Sequence, residues 1–445
     1  MDLRPLVGKQ RDSVRLATAP GNLWVGAVRS SKTVCSLLRW LQYLRNGPDG
    51  PVAMIGRTER TLKRNVLDPI VDMVGSTRFK VMSGAGEAEF LGRKIYLAGA
   101  DNETAVAKIQ GMTLAGFYGD EIPVWAEDVF KMATTRLSIP DAQWFGTGNP
   151  ASATHWLKTG VINRAMMEID LNGNVVNRYG DDSVEVRVFH FQLKDNPTLD
   201  ADFVRRLERE YTGIFYQRFI LGKWVMAEGA VYPMWDEKLH VIPNHKIPFI
   251  TRWIGTGTDV GHTNPFHSVL LGLGADPRND AEKALFITHE WRHDPRTTMR
   301  DMTALEYVQA YRKWLTEAEI PGVQEPGRLP LCGIEPEQHF VDPAAKGYRI
   351  QLFRDGINSW PADNAVLDGI STGATLLKAR KLYVAERCTE LRAEFPDYAW
   401  DDKAAAKGED KVIKVRDHGL DASRYSWETS AEQWHRDVYG WSLDN

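Results

Sequence analysis

Gly26-Ala27-Val28-Arg29-Ser30-Ser31-Lys32-Thr33 decides how this chain of 445 residues is read. A short apolar run, Leu23-Trp24-Val25, precedes it, and Val34-Cys35-Ser36-Leu37-Leu38 follows. That order is strand, small-residue loop, helix, which aims backbone N–H groups at a polyphosphate from a helix N-terminus. In this reading residues Gly26, Arg29, Ser30 and Ser31 belong to the cradle for ATP. Lys32 reaches the β- and γ-phosphates, and the Thr33 hydroxyl holds Mg²⁺. Ser31 stands where such a loop has its last glycine, so small size is kept and free φ is not. The competing reading is a Ser-rich helix N-cap that Lys-Thr happens to follow.

A second half of the same machinery lies downstream in Gly116-Phe117-Tyr118-Gly119-Asp120-Glu121. A strand that ends on Asp120 can hold Mg²⁺ through water, and Glu121 can orient and deprotonate the attacking water. An isolated Asp-Glu pair is usually solvated surface; with the loop upstream it reads as an ATPase. Val52-Ala53-Met54-Ile55, Lys94-Ile95-Tyr96-Leu97 and Gln143-Trp144-Phe145-Gly146-Thr147 are further strand candidates in an α/β domain with a mainly parallel sheet. The segment Gly146-Thr147-Gly148-Asn149-Pro150 puts Thr147 and Asn149 beside the γ-phosphate as sensors, against the plainer reading of a Gly-Asn-Pro turn. In nucleotide hydrolases an arginine from a neighbouring subunit can stabilise charge on the γ-phosphate. Arg136 is the candidate for that trans role, and Arg29 for a sensor acting in cis.

The bulk numbers suggest two to three domains. With 43% hydrophobic and 26% charged residues, wholesale disorder is excluded. No apolar run is long enough to span a bilayer and the basic N-terminus has no apolar core of a secretory signal, so no membrane association and a cytosolic setting are expected. The net charge of −4 gives the whole chain no electrostatic footprint for nucleic acid, so any DNA contact must come from local patches such as Arg57, Arg60 and Arg64. Cys35, Cys332 and Cys388 read as buried free thiols. Trp224, Trp235 and Trp360 read as packing anchors.

Residues 1–242 are assigned to the ATPase domain, with a helical subdomain near 200–226 marked by Phe203, Leu207, Tyr211, Phe215 and Phe219. The two-proline run at 243–249 is assigned as a linker, and 250–445 as a second domain. There, Trp253 to Gly261, Ser268 to Leu273 and Ala284 to Glu290 predict an antiparallel meander. A helix (Met302 to Leu315) and a strand (Gln338-His339-Phe340-Val341) follow. Residues 401–410 are expected to form an exposed loop. Asp259 falls inside the first strand, Asp342 ends a later one, and Asp421 lies in Arg416-Asp417-His418-Gly419-Leu420-Asp421. Carboxylates that interrupt apolar strands are costly to bury unless paired or bound to a cation, and hard oxygen ligands suit two Mg²⁺ or Mn²⁺ ions acting on a phosphodiester. Meander, helix and strand with acids at the first and fourth strands is the layout of an RNase H-like nuclease; strand-end aspartates are also common turn formers. Asp259, Asp342 and Asp421 are the chosen ligands. Asp417 and His418 are auxiliary, with Asp417 also a candidate helix cap.

In combination these features resemble the large terminase subunit of tailed bacteriophages over nearly the whole chain. The residues that carry the resemblance are the loop with its internal Arg29, Lys108-Ile109-Gln110-Gly111 leading to Asp120-Glu121, and Asn149-Pro150 with His155-Trp156. Further along they are Lys194-Asp195-Asn196-Pro197, Gly222-Lys223-Trp224, Glu228-Gly229-Ala230-Val231-Tyr232, Asp259-Val260-Gly261, Val341-Asp342-Pro343-Ala344 and residues 417–425. The resemblance implies an N-terminal ATPase that pumps double-stranded DNA into an empty capsid and a C-terminal metal-dependent endonuclease that cuts concatemers. It also implies a homo-oligomeric ring on the portal protein (the free chain being monomeric), a small terminase subunit as partner, and transient residence at the portal vertex in the host cytoplasm. Two alternatives remain at this point: a helicase-like translocase whose RNase H-like domain cuts nothing, and a capsid adaptor with both sites decayed.

Overall fold

The computed structural model describes residues 5–441 except 83–85, 102–106, 108, 262 and 324–329, so Lys108 lies outside the described residues. The chain forms two compact units, Met1–Glu208 with Gly213–Ala227 and Asp402–Asp410, and Arg209–Thr212 with Glu228–Asp401 and Lys411–Asn445.

In the first unit the strands are β1 (Gly21–Gly26), β2 (Val52–Gly56), β3 (Phe79–Met82), β4 (Glu87–Phe90), β5 (Arg93–Gly99), β6 (Gly116–Gly119), β7 (Gln143–Gly148), β8 (Ala165–Ile169), β9 (Val175–Asn177) and β10 (Val184–Phe191). They join in the order β3-β4-β5-β2-β6-β7-β1-β10-β8-β9. From β5 to β8 every pairing is parallel. The antiparallel partners β3, β4 and β9 lie at the two ends. Every residue of β1, β2 and β6 is buried, as expected of strands covered on both faces. The helices named here are α1 (Gly8–Leu16), α2 (Lys32–Asn46), α3 (Glu127–Thr135) and α4 (Ala201–Glu210). On α2, Leu37, Trp40, Leu41 and Leu44 are buried at helical spacing, and Trp40 packs on Tyr118 and Phe145 of β6 and β7.

The second unit holds β11 (Val241–Ile242), β12 (Ile250–Asp259), β13 (Phe266–Asp276), β14 (Asn279–His293), β15 (His339–Val341), β16 (Trp360–Pro361) and β17 (Leu382–Ala385), in the order β11-β17-β14-β13-β12-β15-β16. The β12-β13-β14 meander is antiparallel and the outer pairings are parallel, which gives the mixed sheet of an RNase H-like domain. Helices α5 (Ala304–Glu317), α6 (Lys346–Arg354), α7 (Val366–Ala379), α8 (Thr389–Asp397) and α9 (His418–Thr429) complete the elements used below. No helix among the described residues is long and apolar enough to cross a membrane.

Four expectations are corrected. The run 243–249 lies within the second unit, because β11 just before it pairs with β17 in that unit's sheet. Residues 402–410 are not an exposed loop: they belong to the first unit, start with a helix (Asp402–Ala406), and bury Ala404 and Ala405. Asp410 there forms a fork with Arg218 at 2.6 and 2.9 Å, both side chains almost fully buried. Cys332 is exposed, whereas Cys35 and Cys388 are buried. Trp360 is 57% exposed and so is not the packed anchor expected of it.

Two candidate active sites

In the first unit, β7 lies between β1 and β6, with Gly148 level with Val25 and Gly146 level with Gly119. The C-terminal ends of the three strands therefore bring the loop after β1, Asp120 and Glu121 after β6, and Thr147 on β7 to one edge. Gly26 starts the loop at φ +149°, and a Cβ there would sit 1.9 Å from the Phe191 carbonyl oxygen, so only glycine fits. Ser30 Oγ donates to Ala27 O at 2.7 Å and Lys32 Nζ to the same oxygen at 3.0 Å, closing the loop on itself. Ser31 occupies the N-cap of α2 at φ 72°, with no capping bond from its side chain. It takes the left-handed conformation that a glycine would take without strain.

Burial pulls the Lys32 ammonium down to about 8, with Asp120 and Glu121 opposing the shift. Burial raises Asp120 in turn, while Thr147, Asn65 and Lys32 hold it down. Thr147 Oγ1 donates to Asp120 Oδ1 at 2.8 Å and accepts from the Glu121 N–H at 3.4 Å, so one hydroxyl ties both acids to β7. Arg29, Ser30, Ser31, Lys32 and Thr33 line a cavity of about 800 Å³ together with Gln10 of α1, Asn65, Asn196 and Leu199. The Arg29 side chain is exposed. Asn149 is not joined to this group by any hydrogen bond among the described residues; its Oδ1 is buried and unpartnered. Arg136 caps the C-terminus of α3, and its guanidinium donates to Gln110 O at 2.9 Å.

In the second unit, Asp259 ends β12 and Asp342 follows its parallel neighbour β15, with the Asp342 N–H donating to Thr258 O at 3.0 Å. Asp342 Oδ1 accepts from Ala344 N–H at 2.9 Å, so this acid does form a turn. Helix α9 crosses β12 where Gly257 removes the side chain, and a Cβ at 257 would lie 1.9 Å from Ala422 O. That close approach delivers Asp421 to Asp259. Burial raises the Asp259 carboxyl; His418 lowers it, and the charges of Asp421 and Asp342 push it up. His418 Nδ1 lies 2.7 Å from Asp259 Oδ2. Asp417 sits at the N-cap of α9 but makes no capping bond; it pairs with Lys414 at 2.9 Å, and the same ammonium reaches Asp421 at 2.7 Å. Arg424 also contacts Asp421, at 3.3 Å. Asp259, Asp417 and Asp421 line a cavity of about 450 Å³ rimmed by Arg292, Arg296, Lys414 and Arg416, and Asp342 stands outside its lining.

Among the described residues no three His, Cys, Asp or Glu side chains converge closely enough to hold a metal ion. The donor chemistry nonetheless fits a hard divalent cation: the candidates are carboxylates, and a lysine ammonium already bridges two of them as a stand-in positive charge. Lys414 was not legible in the sequence, since a lysine seven residues before an acid carries no spacing signal. Asn65, bonded to Asp120, and Glu394, bonded to α9, are hidden in the sequence because each meets its partner far along the chain. Glu394 is pushed up to about 8 by burial, and it accepts the Leu420 N–H at 2.9 Å in the first turn of α9.

Residues 25–239 match the family described as terminase large subunit, T4likevirus-type, N-terminal. The large terminase of a thermophilic bacteriophage is 30% identical, with a TM-score of 0.80 over 96% of this chain and 99% of that one. The same phage protein in complex with ATP-gamma-S gives a TM-score of 0.78 at 30% identity, covering 96% and 99% of the two chains. In complex with ADP it gives 0.78 at 29% identity, covering 95% and 98%. No curated protein sequence matches.

Proposed function

The chain belongs to the phage large-terminase family of DNA-packaging motors, and from that premise we propose that it hydrolyses ATP to drive double-stranded DNA into a procapsid and cuts concatemeric DNA. The observation that carries the ATPase reading is the convergence of Lys32, Asp120, Glu121 and Thr147 at one sheet edge. The thermophilic phage relative with ATP-gamma-S supports it.

Lys32, held back by Ala27 O, is positioned to swing onto the β- and γ-phosphates and carry charge that builds up as the γ-phosphoryl leaves. Glu121, at φ 54° after β6, is the base that takes the proton of the attacking water. Mg²⁺ held by Thr33 and Asp120 would neutralise phosphate charge. Arg29 is the cis sensor and Arg136 the trans candidate, with Asn149 assigned to the γ-phosphate by its place after β7. In the second unit Asp259, Asp342 and Asp421, with Asp417 and His418 beside them, are assigned to two Mg²⁺ or Mn²⁺ ions, which would polarise water and the scissile phosphate. His418 steers the Asp259 carboxylate, and the rim arginines attract the DNA backbone.

Partners in this reading are double-stranded DNA, a portal protein and a small terminase subunit, with a ring formed at the portal vertex in the host cytoplasm and a monomer in free solution. In this reading the ATPase chemistry is assigned to the first unit, Met1–Glu208 with Gly213–Ala227 and Asp402–Asp410, and the nuclease chemistry to the second. A translocase that cuts nothing is favoured by one observation, the Lys414 ammonium between Asp417 and Asp421. Mn²⁺-dependent nicking of supercoiled plasmid by the full chain separates the two readings. For the ATPase, Glu121→Gln should bind ATP and fail to turn it over; turnover at the wild-type rate would remove Glu121 from its role.

A further inference from the structure

We propose that the groove between α6 and β16 holds an unpaired DNA strand next to the cutting site, an inference that rests on the nuclease reading above. Six residues carry it. Lys346 and Arg349 on α6 line a cavity of about 700 Å³ together with Ile350, Phe353 and Trp360. Arg354 extends the same helix. Phe353 is 71% exposed, Trp360 57% and Ile350 54%. So many large apolar side chains in one exposed patch point to an occupant.

The charge says which occupant. Lys346, Arg349 and Arg354 form no ion pair and no side-chain hydrogen bond with the described residues, and Arg349 Nε is buried without a partner. By contrast, three cations on or beside this unit's sheet are paired: Arg252 with Glu337, Arg278 with Asp276, Lys381 with Asp276 and Glu282. Unpaired cations interleaved with exposed aromatic rings match a sugar-phosphate backbone whose bases stack on the protein. A duplex keeps its bases stacked on one another, so the rings select a strand that is single, as at a freshly cut or frayed end.

Position ties the groove to the acids. Trp360 is level with Phe340 in the β15-β16 pairing, two residues before Asp342, and α6 begins four residues after Asp342. Both walls of the groove therefore begin within a few residues of the β15 end that carries Asp342.

The test is fluorescence anisotropy of the full chain with a fluorescein-labelled oligo-dT and with a matched duplex, across a salt series. Phe353→Ala and Trp360→Ala should each weaken oligo-dT binding by roughly tenfold and leave the salt slope unchanged. Lys346→Ala with Arg349→Ala should reduce that slope by about 0.7 per cation removed. Duplex affinity should change less than oligo-dT affinity in all of them. Wild-type oligo-dT affinity in every variant overturns the groove. So does unchanged DNA binding accompanied by a loss of self-association in sedimentation velocity, which would make the patch a protein contact. Plasmid nicking by the wild-type chain, run on the same samples, separates the two failures. If wild type cuts and the variants bind normally, only the groove fails; if wild type does not cut, the nuclease reading fails whatever the groove binds.

Discussion

Gly257→Ala should silence DNA cutting without touching ATP turnover, although it adds one methyl group and removes no functional atom. The added Cβ would lie 1.9 Å from the Ala422 carbonyl oxygen and 2.8 Å from the Ser426 nitrogen, both backbone atoms of α9, where ordinary contact begins at 3.4 Å. Helix α9 must recede by about 1.5 Å to restore contact, and overpacking of this kind costs about 1–3 kcal/mol. Asp421 rides on the helix and Asp259 on the strand, so the shift opens the space between them. A displacement of about 1 Å in a catalytic group can lower a rate roughly 100-fold. The assay is Mn²⁺-dependent plasmid nicking beside ATP turnover and a thermal melt. Gly160→Ala, whose Cβ would meet nothing within 4 Å, is the control and should leave both activities unchanged. A folded Gly257→Ala chain that nicks at the wild-type rate would refute the claim that the β12-α9 approach assembles the site.

Three further outcomes follow from the geometry. Lys32 has a folded pKa lowered to about 8, so stability from this group is present above the unfolded value and lost as pH falls through 8, where a buried charge forms. ATP binding at pH ~9 should draw a proton back onto Lys32, and at pH ~7 should not, read by calorimetry in buffers of different ionisation enthalpy; equal proton uptake by Lys32→Ala would sink this assignment. Arg218→Ala should cost about 3–5 kcal/mol in denaturant unfolding, because it strands Asp410 with both partners nearly fully buried; a loss below about 1 kcal/mol would mean the fork holds nothing together. Ser31→Gly should keep ATP turnover and gain up to about 1 kcal/mol by relieving the left-handed serine; a clear loss of stability would mean the serine side chain matters more than its φ.

Local order made the first site readable. The loop, the strand ends at Asp120 and Thr147, and the apolar runs all announce themselves within a few residues, and parallel pairing then brings them to one edge. The meander was readable too, since β12, β13 and β14 follow one another with short connections. What was hidden depends on distance along the chain. Asp410 meets Arg218 across 192 residues, and the buried alanines of 402–406 looked like a small, polar loop because their partners lie elsewhere. Lys414 bridges Asp417 and Asp421 through side-chain reach that no periodicity encodes. The run 243–249 reads as a linker yet lies inside the second unit, because two prolines mark a turn equally well inside a domain. Asn149 takes its role from its neighbours in sequence alone, and its Oδ1 has no hydrogen-bond partner among the described residues.

Two independent chemistries are assigned to this one chain, ATP hydrolysis at Lys32 and Glu121 and DNA cutting at Asp259 and Asp421. The most direct measurement is a crossed pair of assays on two full-length variants, Lys32→Ala and Asp421→Ala, each tested for ATP turnover and for Mn²⁺-dependent nicking of supercoiled plasmid. Lys32→Ala should lose turnover and still nick, while Asp421→Ala should turn over ATP and no longer nick. Nicking that survives Asp421→Ala, or ATP turnover that survives Lys32→Ala, would contradict that assignment.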